Sequence, residues 1–532
     1  MTTPPQTDHP HKGWIAIFAL IAVLVAVSFI PPQTIGGVKF RRANILSDLL
    51  SFNDTADASQ SVSLFDEAEF RVDMDEVAER IVADTAAPRV QVSFDWVVAA
   101  HKQPNDPLVP DTTQLRSTTV AIEDFAPEAN GSIAAFCDTL LAAQRPVRIA
   151  VLGDSFIEGD ILTADLREQL QVAYGGGGAG FAPIASPLTA FRRTIKTQAN
   201  GWTAYGIMQR KAAPISMREN FYVSGWVCSP VDGASTRWTA TDYRRHLDSC
   251  TTARIFFISP SNSQISLTLN DTLSHEVSVR GDAAVRQIVV TAPHIHSLEF
   301  KVRSGQQGFI GYGAVFEAQG VVVDNYSVRS NNGQAMFWTN PSVNAQINAL
   351  MGYDLVILQY GLNIMQTGVR NYTSYADQIE KMIAYVRQCF PGAAVMVMGV
   401  SDRSVKGEAD FQPMDALPSM LAYQRQAAQN AGAAFWNTCE AMRTLGGMER
   451  FVADGWAGKD FTHINYAGGR RIASLLFAAI HTDVCQRYTI RQLATQRDQT
   501  QPAVLDTLQL KKIEERLLPG IISEPIHNTP LQ

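Results

Sequence analysis

The feature that most constrains the fold is a series of short apolar runs separated by amphipathic stretches. The first run covers residues 147–152, and similar runs recur at residues 355–358, 394–400 and 433–436. β-Branched residues bounded by turn residues are typical of buried strands, whereas the leucines spaced four apart over residues 162–170 are typical of a helix. Alternation of such strands and helices predicts an α/β domain built on a parallel sheet.

A second pattern interrupts the first one between about residues 221 and 316. Ile265, Leu267 and Leu269 alternate with polar residues, which is the period of a half-buried strand. Turn residues such as Asn270-Asp271 divide this region into short strands. We therefore predict a β-sandwich inserted into the α/β domain.

These patterns divide the chain into six parts. They are an N-terminal signal-anchor segment (1–31), a polar stalk or linker (32–115), the first part of the α/β domain (116–205), the inserted β-sandwich (206–318), the second part of the α/β domain (319–488) and a polar C-terminal tail (489–532).

The N-terminal segment contains an uninterrupted apolar run over residues 14–30. Its length lies at the short end of the about 17 to 25 residues that cross a bilayer, and no small-residue cleavage site follows it closely. We therefore expect an uncleaved membrane helix. Lys39, Arg41 and Arg42 follow the run, a charge bias that opposes export of the C-terminal part.

Composition excludes some classes of function. The chain has 532 residues, 46% of them hydrophobic, and a formal net charge of −7, which describes a globular protein and makes nucleic acid a poor partner. The six cysteines lack the CxxC spacing of zinc or redox sites. Cys228 and Cys250 share the β-rich region, where they either pair or remain buried thiols.

Two further motifs concern possible ligands. His294 and His296 would share one face of a strand, but no third ligand is evident near them, so we predict no metal site. The glycine-rich stretch at residues 175–178 is not followed by Lys-Ser or Lys-Thr, which disfavours a phosphate cradle. A flexible loop beside the functional site is the preferred interpretation.

The residues that could carry out catalysis lie at two places in the sequence. Gly153-Asp154-Ser155 follows the first predicted strand and precedes a helix, where backbone N–H groups can hold an anion. Asp460 and His463 lie near the end of the last α/β unit. A nucleophilic serine needs a base to take its proton, and that base needs a carboxylate to fix its tautomer. Ser155, His463 and Asp460 could supply these three groups.

Three blocks in this order resemble those of SGNH/GDSL-like hydrolases: residues 150–155, Tyr360-Gly361-Leu362-Asn363, and Asp460-x-x-His463. The resemblance covers residues 145–200 and 320–480. It implies a flavodoxin-like, three-layer α/β/α domain with Ser155 as nucleophile, His463 as base and Asp460 as the group that orients His463.

The same resemblance implies an oxyanion hole formed by the Ser155 N–H, a glycine N–H assigned to Gly333, and the Asn363 side chain. In many members of the family an aspartate follows the asparagine of the third block. Here Ile364 takes that place, so no role that depends on the aspartate is carried over.

The layout as a whole looks like that of bacterial peptidoglycan O-acetylesterases. It implies a serine esterase that needs no cofactor and removes acyl groups, O-acetyl groups above all, from an acylated polysaccharide. A polysaccharide O-acyltransferase with the same site and a non-catalytic glycan-binding protein are the alternatives. Because such domains behind an apolar segment usually act outside the cytoplasm, we expect membrane anchorage with the catalytic domain extracytoplasmic, on the periplasmic side. The sequence leaves the oligomeric state open.

Overall fold

The computed structural model describes residues 33–35, 38–40, 72–85, 91–99, 107–115, 119–127, 129–407 and 410–499. The chain divides into two compact units, Met1–Leu64 and Phe65–Gln532. In the first unit, strand β1 (Gln33–Ile35) pairs antiparallel with β2 (Val38–Phe40). All further elements belong to the second unit.

The strands of the second unit fall into a mainly parallel sheet, a larger antiparallel sheet and a small hairpin. In chain order they are β3 Ser93–Val97, β4 Glu123–Asp124, β5 Val147–Gly153, β6 Gly180–Pro183, β7 Ile195–Gly206, β8 Trp226–Ala240, β9 Thr252–Ser259, β10 Ser263–Leu269, β11 Leu273–Val279, β12 Asp282–Thr291, β13 Ser297–Ser304, β14 Ile310–Glu317, β15 Val321–Ser327, β16 Leu355–Gln359, β17 Ala394–Met398, β18 Ser404–Lys406, β19 Phe411–Pro413 and β20 Ala434–Trp436.

The described α-helices flank these strands. They are α1 Met74–Thr85, α2 Ile133–Ala142, α3 Thr163–Tyr174, α4 Ile215–Arg218, α5 Pro341–Met351, α6 Thr373–Cys389, α7 Leu417–Asn430, α8 Thr438–Arg443, α9 Gly447–Ala453 and α10 Tyr466–Gln499.

The parallel sheet has the strand order β15-β5-β16-β17-β20, with the short β4 added antiparallel to β20. Numbered along the chain, its five parallel strands lie in the order 2-1-3-4-5, which is that of flavodoxin-like folds. Every residue of β5 and β16 is buried, as expected for strands that helices cover on both faces. One group of packed helices comprises α2, α3 and α10, and the other comprises α1, α5, α6 and α7. The predicted α/β architecture is present.

The larger sheet has ten strands and encloses a core of its own. Its main path is β11-β10-β13-β8-β14-β9-β12-β3, with β6 paired to β14 and β7 paired to β8. Burial alternates along β10, as the period of two in its sequence predicts. The sheet curls until its two edge strands meet, since Trp96 of β3 stacks on His275 of β11 with 5.1 Å between ring centroids.

The second sheet begins earlier in the chain than the sequence indicated. β6 and all but the last residue of β7 precede residue 206, and β3 lies within the stretch assigned to the stalk. β3 pairs in parallel with β12, with Ser93 opposite Gln287. Phe94 and Trp96 pack against the second core, so a short alternating pattern within a polar region was sufficient to add a strand.

The glycine-rich stretch lies in a tightly packed seam between the two sheets. A Cβ atom on Gly177 would come within 2.5 Å of the Ser249 carbonyl oxygen, and one on Gly178 within 2.2 Å of the Phe316 oxygen. The glycines therefore permit a close approach of backbones, and the expectation of a flexible loop is not met.

The prediction of a membrane-anchored protein with its catalytic domain on the periplasmic side is corrected by the structure. No helix among the described residues is both long and apolar enough to cross a membrane. Helix α10 has 34 residues, but charged side chains such as Arg470, Arg471 and Asp483 interrupt its apolar positions. Residues 14–30, from which anchorage was predicted, lie outside the described residues, as does most of the predicted tail.

All six cysteines are buried free thiols, so Cys228 and Cys250 are not paired in this structure. The Cys228 thiol donates to the Ala185 carbonyl oxygen and the Cys250 thiol to that of Thr252. Each thiol is thus accommodated separately within the second sheet.

Candidate active site

Ser155 follows β5, the first strand of the parallel sheet in chain order, which lies between β15 and β16. β5 finishes at Gly153, and Ser155 is the first residue of a 3₁₀ turn that runs to Asp160. The first N–H groups of such a turn have no partner inside it, so the Ser155 N–H is a donor for a bound anion. A Cβ atom on Gly153 would lie 2.6 Å from Gln359 Oε1, so glycine lets β5 and β16 end side by side.

Asp154 is fully buried directly before the serine. Its Oδ1 accepts a hydrogen bond from the Phe156 N–H (2.9 Å), and its Oδ2 accepts one from Asn363 Nδ2 (2.9 Å). Burial raises the pKa of Asp154 to about 7, although the hydrogen bonds and the nearby His463 act in the opposite direction. This carboxyl group therefore links the first and third sequence blocks.

Asn363 follows the neighbouring strand β16 and lies at the same edge of the sheet as Ser155. Besides Asp154, its Nδ2 contacts the Asn331 carbonyl oxygen at 3.0 Å. Both amide hydrogens are thus directed at protein acceptors. An oxyanion would have to share or replace one of these two hydrogen bonds.

The structure does not present the Gly333 N–H as a free donor. That N–H already donates to Asn331 Oδ1 at 3.0 Å, and the same oxygen accepts from the Ala335 N–H. Gly333 is buried, and a Cβ atom there would lie 2.2 Å from Met382 Sδ. The side chain of Asn331 therefore caps the 3₁₀ turn Gln334–Trp338 and occupies the Gly333 N–H that the family resemblance assigned to the oxyanion hole.

Asp460 and His463 form a close pair in the loop before α10. His463 Nδ1 lies 2.6 Å from Asp460 Oδ2, and Asp460 Oδ1 accepts from the N–H groups of Thr462 and His463. Partial burial alone would raise the pKa of Asp460, but these hydrogen bonds outweigh it and hold the pKa below its ordinary value. The carboxylate is thus ionised and engages Nδ1, which leaves Nε2 of His463 to act as a base.

Several contacts hold this loop near Ser155. The Tyr466 hydroxyl donates to the carbonyl oxygens of Gly159 (3.0 Å) and Phe191 (2.8 Å). The charge of His463 is close enough to lower the pKa of Asp154. The structure describes both Ser155 and His463 and contains no hydrogen bond between them. Such contacts often close only when substrate binds, and the His463 side chain is 62% exposed.

Sequence reasoning did not identify four residues that support this arrangement: Asn331, Gln359, Arg403 and Tyr466. Arg403 follows β17 and is half-buried; it donates to the Leu362 carbonyl oxygen (3.3 Å), while its buried Nε has no hydrogen-bond partner. Residues after the carboxyl ends of parallel strands commonly reach the site in such sheets. That rule would have pointed to Gln359 and Arg403, but the other two depend on contacts that the sequence does not show.

The groups at this edge of the sheet are of the kinds that acyl transfer requires. They comprise a hydroxyl nucleophile, an imidazole oriented by an ionised carboxylate, and N–H donors at the start of a helical turn. Each group comes from a different strand end or loop, and the parallel sheet places them at one edge.

Comparison with known proteins supports the fold. No protein-family model and no curated protein matches the chain. A solved structure of a peptidoglycan O-acetylesterase matches with a TM-score of 0.56 at 22% identity, covering 69% of this chain and 99% of that one.

Two other solved structures are much less similar. A GDSL-like lipase from Parabacteroides merdae matches with a TM-score of 0.24 at 11% identity, covering 31% of this chain and 74% of that one. A family two carbohydrate esterase from Cellvibrio japonicus matches with a TM-score of 0.19 at 10% identity, covering 45% and 86%. These two scores carry no argument. The match with a TM-score of 0.56 shows that this chain shares the fold of a peptidoglycan O-acetylesterase, the kind of protein that its sequence was predicted to resemble.

Proposed function

We propose that this protein is a serine esterase that removes acyl groups, O-acetyl groups above all, from a polysaccharide such as peptidoglycan. The observation that carries the proposal is the placement of Ser155, Asn363 and the Asp460–His463 pair at one edge of the parallel sheet. The 2.6 Å contact between His463 and Asp460 is the hydrogen bond that a general base of this kind requires.

The reaction would proceed in two steps. His463 Nε2 accepts the proton of Ser155 Oγ, and the oxygen attacks the ester carbonyl carbon to give a tetrahedral oxyanion. Collapse expels the sugar alkoxide, which takes the proton from His463 and leaves an acyl group on Ser155. His463 then deprotonates a water molecule, which attacks the acyl carbon to give a second tetrahedral oxyanion. Its collapse releases the carboxylic acid and expels Ser155 Oγ, which takes the proton back from His463.

The oxyanion would be held by the Ser155 N–H and by Asn363. Asn363 is poised because Asp154 and Asn331 fix its amide, and an oxyanion is a better acceptor than the neutral Asn331 carbonyl. Gly333 could contribute only after its N–H leaves Asn331 Oδ1. We therefore assign the oxyanion hole to Ser155 and Asn363.

The choice of a glycan rests on two supports. One is the fold shared with a peptidoglycan O-acetylesterase. The other is Phe191, which is 67% exposed and whose backbone is bound by Tyr466 beside the turn that begins at Ser155. An exposed aromatic ring at this position would offer the apolar face of a pyranose ring a flat surface beside the turn that runs from Ser155 to Asp160.

The direct test is ester hydrolysis by the full chain, first with an activated acetyl ester and then with O-acetylated peptidoglycan and acetylated xylan. We expect release of acetate by the unaltered chain. Ser155→Ala should leave only the small residual rate that the binding groups provide without the nucleophile. Ser304→Ala, at an exposed serine of β13, is the matched control and should leave the rate unchanged.

Hydrolysis that survives Ser155→Ala would overturn the assignment of the nucleophile. If the folded protein cleaves none of the three esters, the proposal that it is an esterase is wrong. Repeating the assay with a deacetylated glycan as acceptor separates hydrolysis from transfer, because transfer yields an acetylated acceptor where hydrolysis yields free acetate.

A further inference from the structure

A cluster of three potential metal ligands lies on the second sheet, away from the residues discussed above. His294 and His296 occupy the connection between β12 and β13, and Asp248 reaches them from the segment that joins β8 to β9. The sequence offered no third ligand for the two histidines. The fold supplies one from a position 46 residues before His294.

The distances within the cluster suit a small divalent ion. Asp248 Oδ1 lies 2.8 Å from His296 Nδ1, Asp248 Oδ2 lies 3.6 Å from His294 Nε2, and all three ligand atoms are within 4.8 Å of one another. Zinc bonds of about 2.0–2.2 Å in a tetrahedron place neighbouring ligand atoms roughly 3.4 Å apart. Small rotations of the side chains would therefore complete the coordination.

A hydrogen bond between His296 and Asp248 would explain part of this arrangement but not all of it. His294 faces the second oxygen of the same carboxylate, beyond hydrogen-bonding distance at 3.6 Å. The two imidazole rings are nearly parallel, with an interplanar angle of 21°. Ligand atoms of two imidazoles and one carboxylate lie within 4.8 Å of one another, and these groups are the donor set of many zinc sites.

The backbone that carries the ligands is held in place. Asn270 accepts hydrogen bonds from the N–H groups of His296 and Ser297 and donates to the His294 carbonyl oxygen. The N–H of Ile295, a residue only 1% exposed, donates to the Cys250 carbonyl oxygen. The turn with the histidines is thus fixed both to the β10–β11 turn and to the segment with Asp248, so the site is largely preorganised.

We propose that Asp248, His294 and His296 form a binding site for a zinc-class divalent metal ion, with water completing the coordination. The three side chains are about half exposed (50%, 52% and 51%), so an ion from solution can reach them. The ion would connect the segment of Asp248 to the second sheet. In the same segment Arg244 forms an ion pair with Asp165 of α3, so the ion would stabilise a connection that leads to the α/β domain.

The proposal is tested by titrating Zn²⁺ into the full chain without a histidine tag and measuring the heat of binding. We expect one ion per chain and a rise in the midpoint of thermal unfolding with zinc concentration. Co²⁺ in place of Zn²⁺ should give the visible absorption of a low-coordinate site that contains nitrogen and oxygen ligands. None of these measurements depends on ester hydrolysis.

Asp248→Asn and His296→Gln are the informative variants. Loss of an outer partner of a metal ligand already costs about 10- to 100-fold in affinity, so loss of a ligand should cost at least tenfold. His246→Gln is the matched control, since this exposed histidine lies two residues from Asp248 but outside the cluster. It should bind zinc as the unaltered chain does.

An unaltered chain that binds no zinc would overturn the proposal. So would equal weakening by His246→Gln and His296→Gln, which would indicate unspecific binding to surface histidines. Circular dichroism of each variant establishes that lost binding does not reflect lost folding.

Discussion

At the scale of single residues, the candidate site contains a buried carboxyl group, Asp154, whose ionised form destabilises the folded protein. Asp154 is fully buried, and it has no cationic partner within salt-bridge distance among the described residues. Its hydrogen bond to Asn363 would orient the amide that we propose as an oxyanion donor. We infer that burial of Asp154 lowers the stability of the folded protein but holds the Asn363 amide in a fixed orientation. Local instability of this kind is common at functional sites.

The raised pKa of Asp154 predicts a pH dependence of stability. Between its ordinary value of 3.8 and about 7, the carboxyl group is protonated in the folded state and ionised in the unfolded state. The stability that it contributes is therefore fully present below pH 4 and falls by up to about 1.4 kcal/mol per pH unit as the pH rises to 7. Asp154→Asn should reduce this slope in urea unfolding measured from pH 4 to 8.

The same variant should lower ester hydrolysis on the order of a hundredfold, because an amide at residue 154 no longer fixes Asn363. Asp483→Asn is the matched control: burial raises the pKa of Asp483 to about 7 as well, but this residue lies in α10 away from the site. It should reduce the slope and leave hydrolysis unchanged. Equal loss of activity in both variants would contradict the role given to Asp154.

Removal of the proposed oxyanion donor gives a second prediction at this scale. Asn363→Ala should reduce kcat by about a hundred- to a thousandfold with little change in KM, because the lost interaction forms only in the transition state. Asn332→Ala, two positions before the turn Gln334–Trp338, is a control whose side chain caps that turn. A rise in KM at constant kcat for Asn363→Ala would instead indicate a role in substrate binding alone.

At the scale of elements, the start of α10 is bound to the turn that begins at Ser155. The Tyr466 hydroxyl donates to two carbonyl oxygens of that region, and its ring receives the Arg193 guanidinium at 4.3 Å. Gly469 allows the first turn of α10 to approach closely, since a Cβ atom there would lie 1.9 Å from the Ile161 carbonyl oxygen. These contacts set the position of the loop that carries His463.

Tyr466→Phe should therefore weaken both the fold and the reaction. The hydroxyl has a single hydrogen, which the two carbonyl oxygens share, so loss of this one shared hydrogen bond predicts a loss of about 0.5–1.5 kcal/mol in the free energy of unfolding. Because His463 is three residues away, kcat should fall more than KM rises. Tyr488→Phe, in the same helix, is the control, since the Tyr488 hydroxyl has no hydrogen bond in the described part of the chain. A Tyr466→Phe protein with unchanged kcat would show that this contact does not position the base.

At the scale of the whole second unit, a buried ion cluster joins the two sheets. Glu317, at the end of β14, pairs with Arg148 of the parallel sheet at 2.7 Å and with Arg254 of β9 at 2.8 Å. Arg148 and Glu317 are almost fully buried. Such a pair does not make the protein more stable than an apolar contact would, but breaking it leaves a buried charge without its partner.

We predict that Glu317→Gln lowers the free energy of unfolding by about 3–5 kcal/mol in urea titrations. The control is Glu123→Gln, which breaks an exposed pair with Arg425 and should cost less than about 1 kcal/mol. Similar effects of the two variants would mean that burial does not strengthen the contact between the sheets.

The sequence by itself determined the elements whose evidence is local. Apolar periods of two and near four identified the strands and helices, and the turn after β5 was placed correctly because strand, glycine and helix signals are adjacent in the chain. The switch to a period of two also predicted a separate β-rich region, and its strands enclose a second core. The strand at residues 93–97 was not predicted from the sequence. A five-residue strand in a polar region is recognisable only from its pairing with β12.

Only the tertiary structure decided which side chains meet. Asp154 and Asn363 are 209 positions apart, and the contact that makes them a unit exists only when β5 and β16 lie side by side. The N–H of Gly333 is taken by a neighbouring side chain, and Asp248 meets two histidines because β9 and β12 lie side by side. Periodicity reports which face of an element is buried, whereas contacts between distant residues depend on packing, and that is the physical reason for the division.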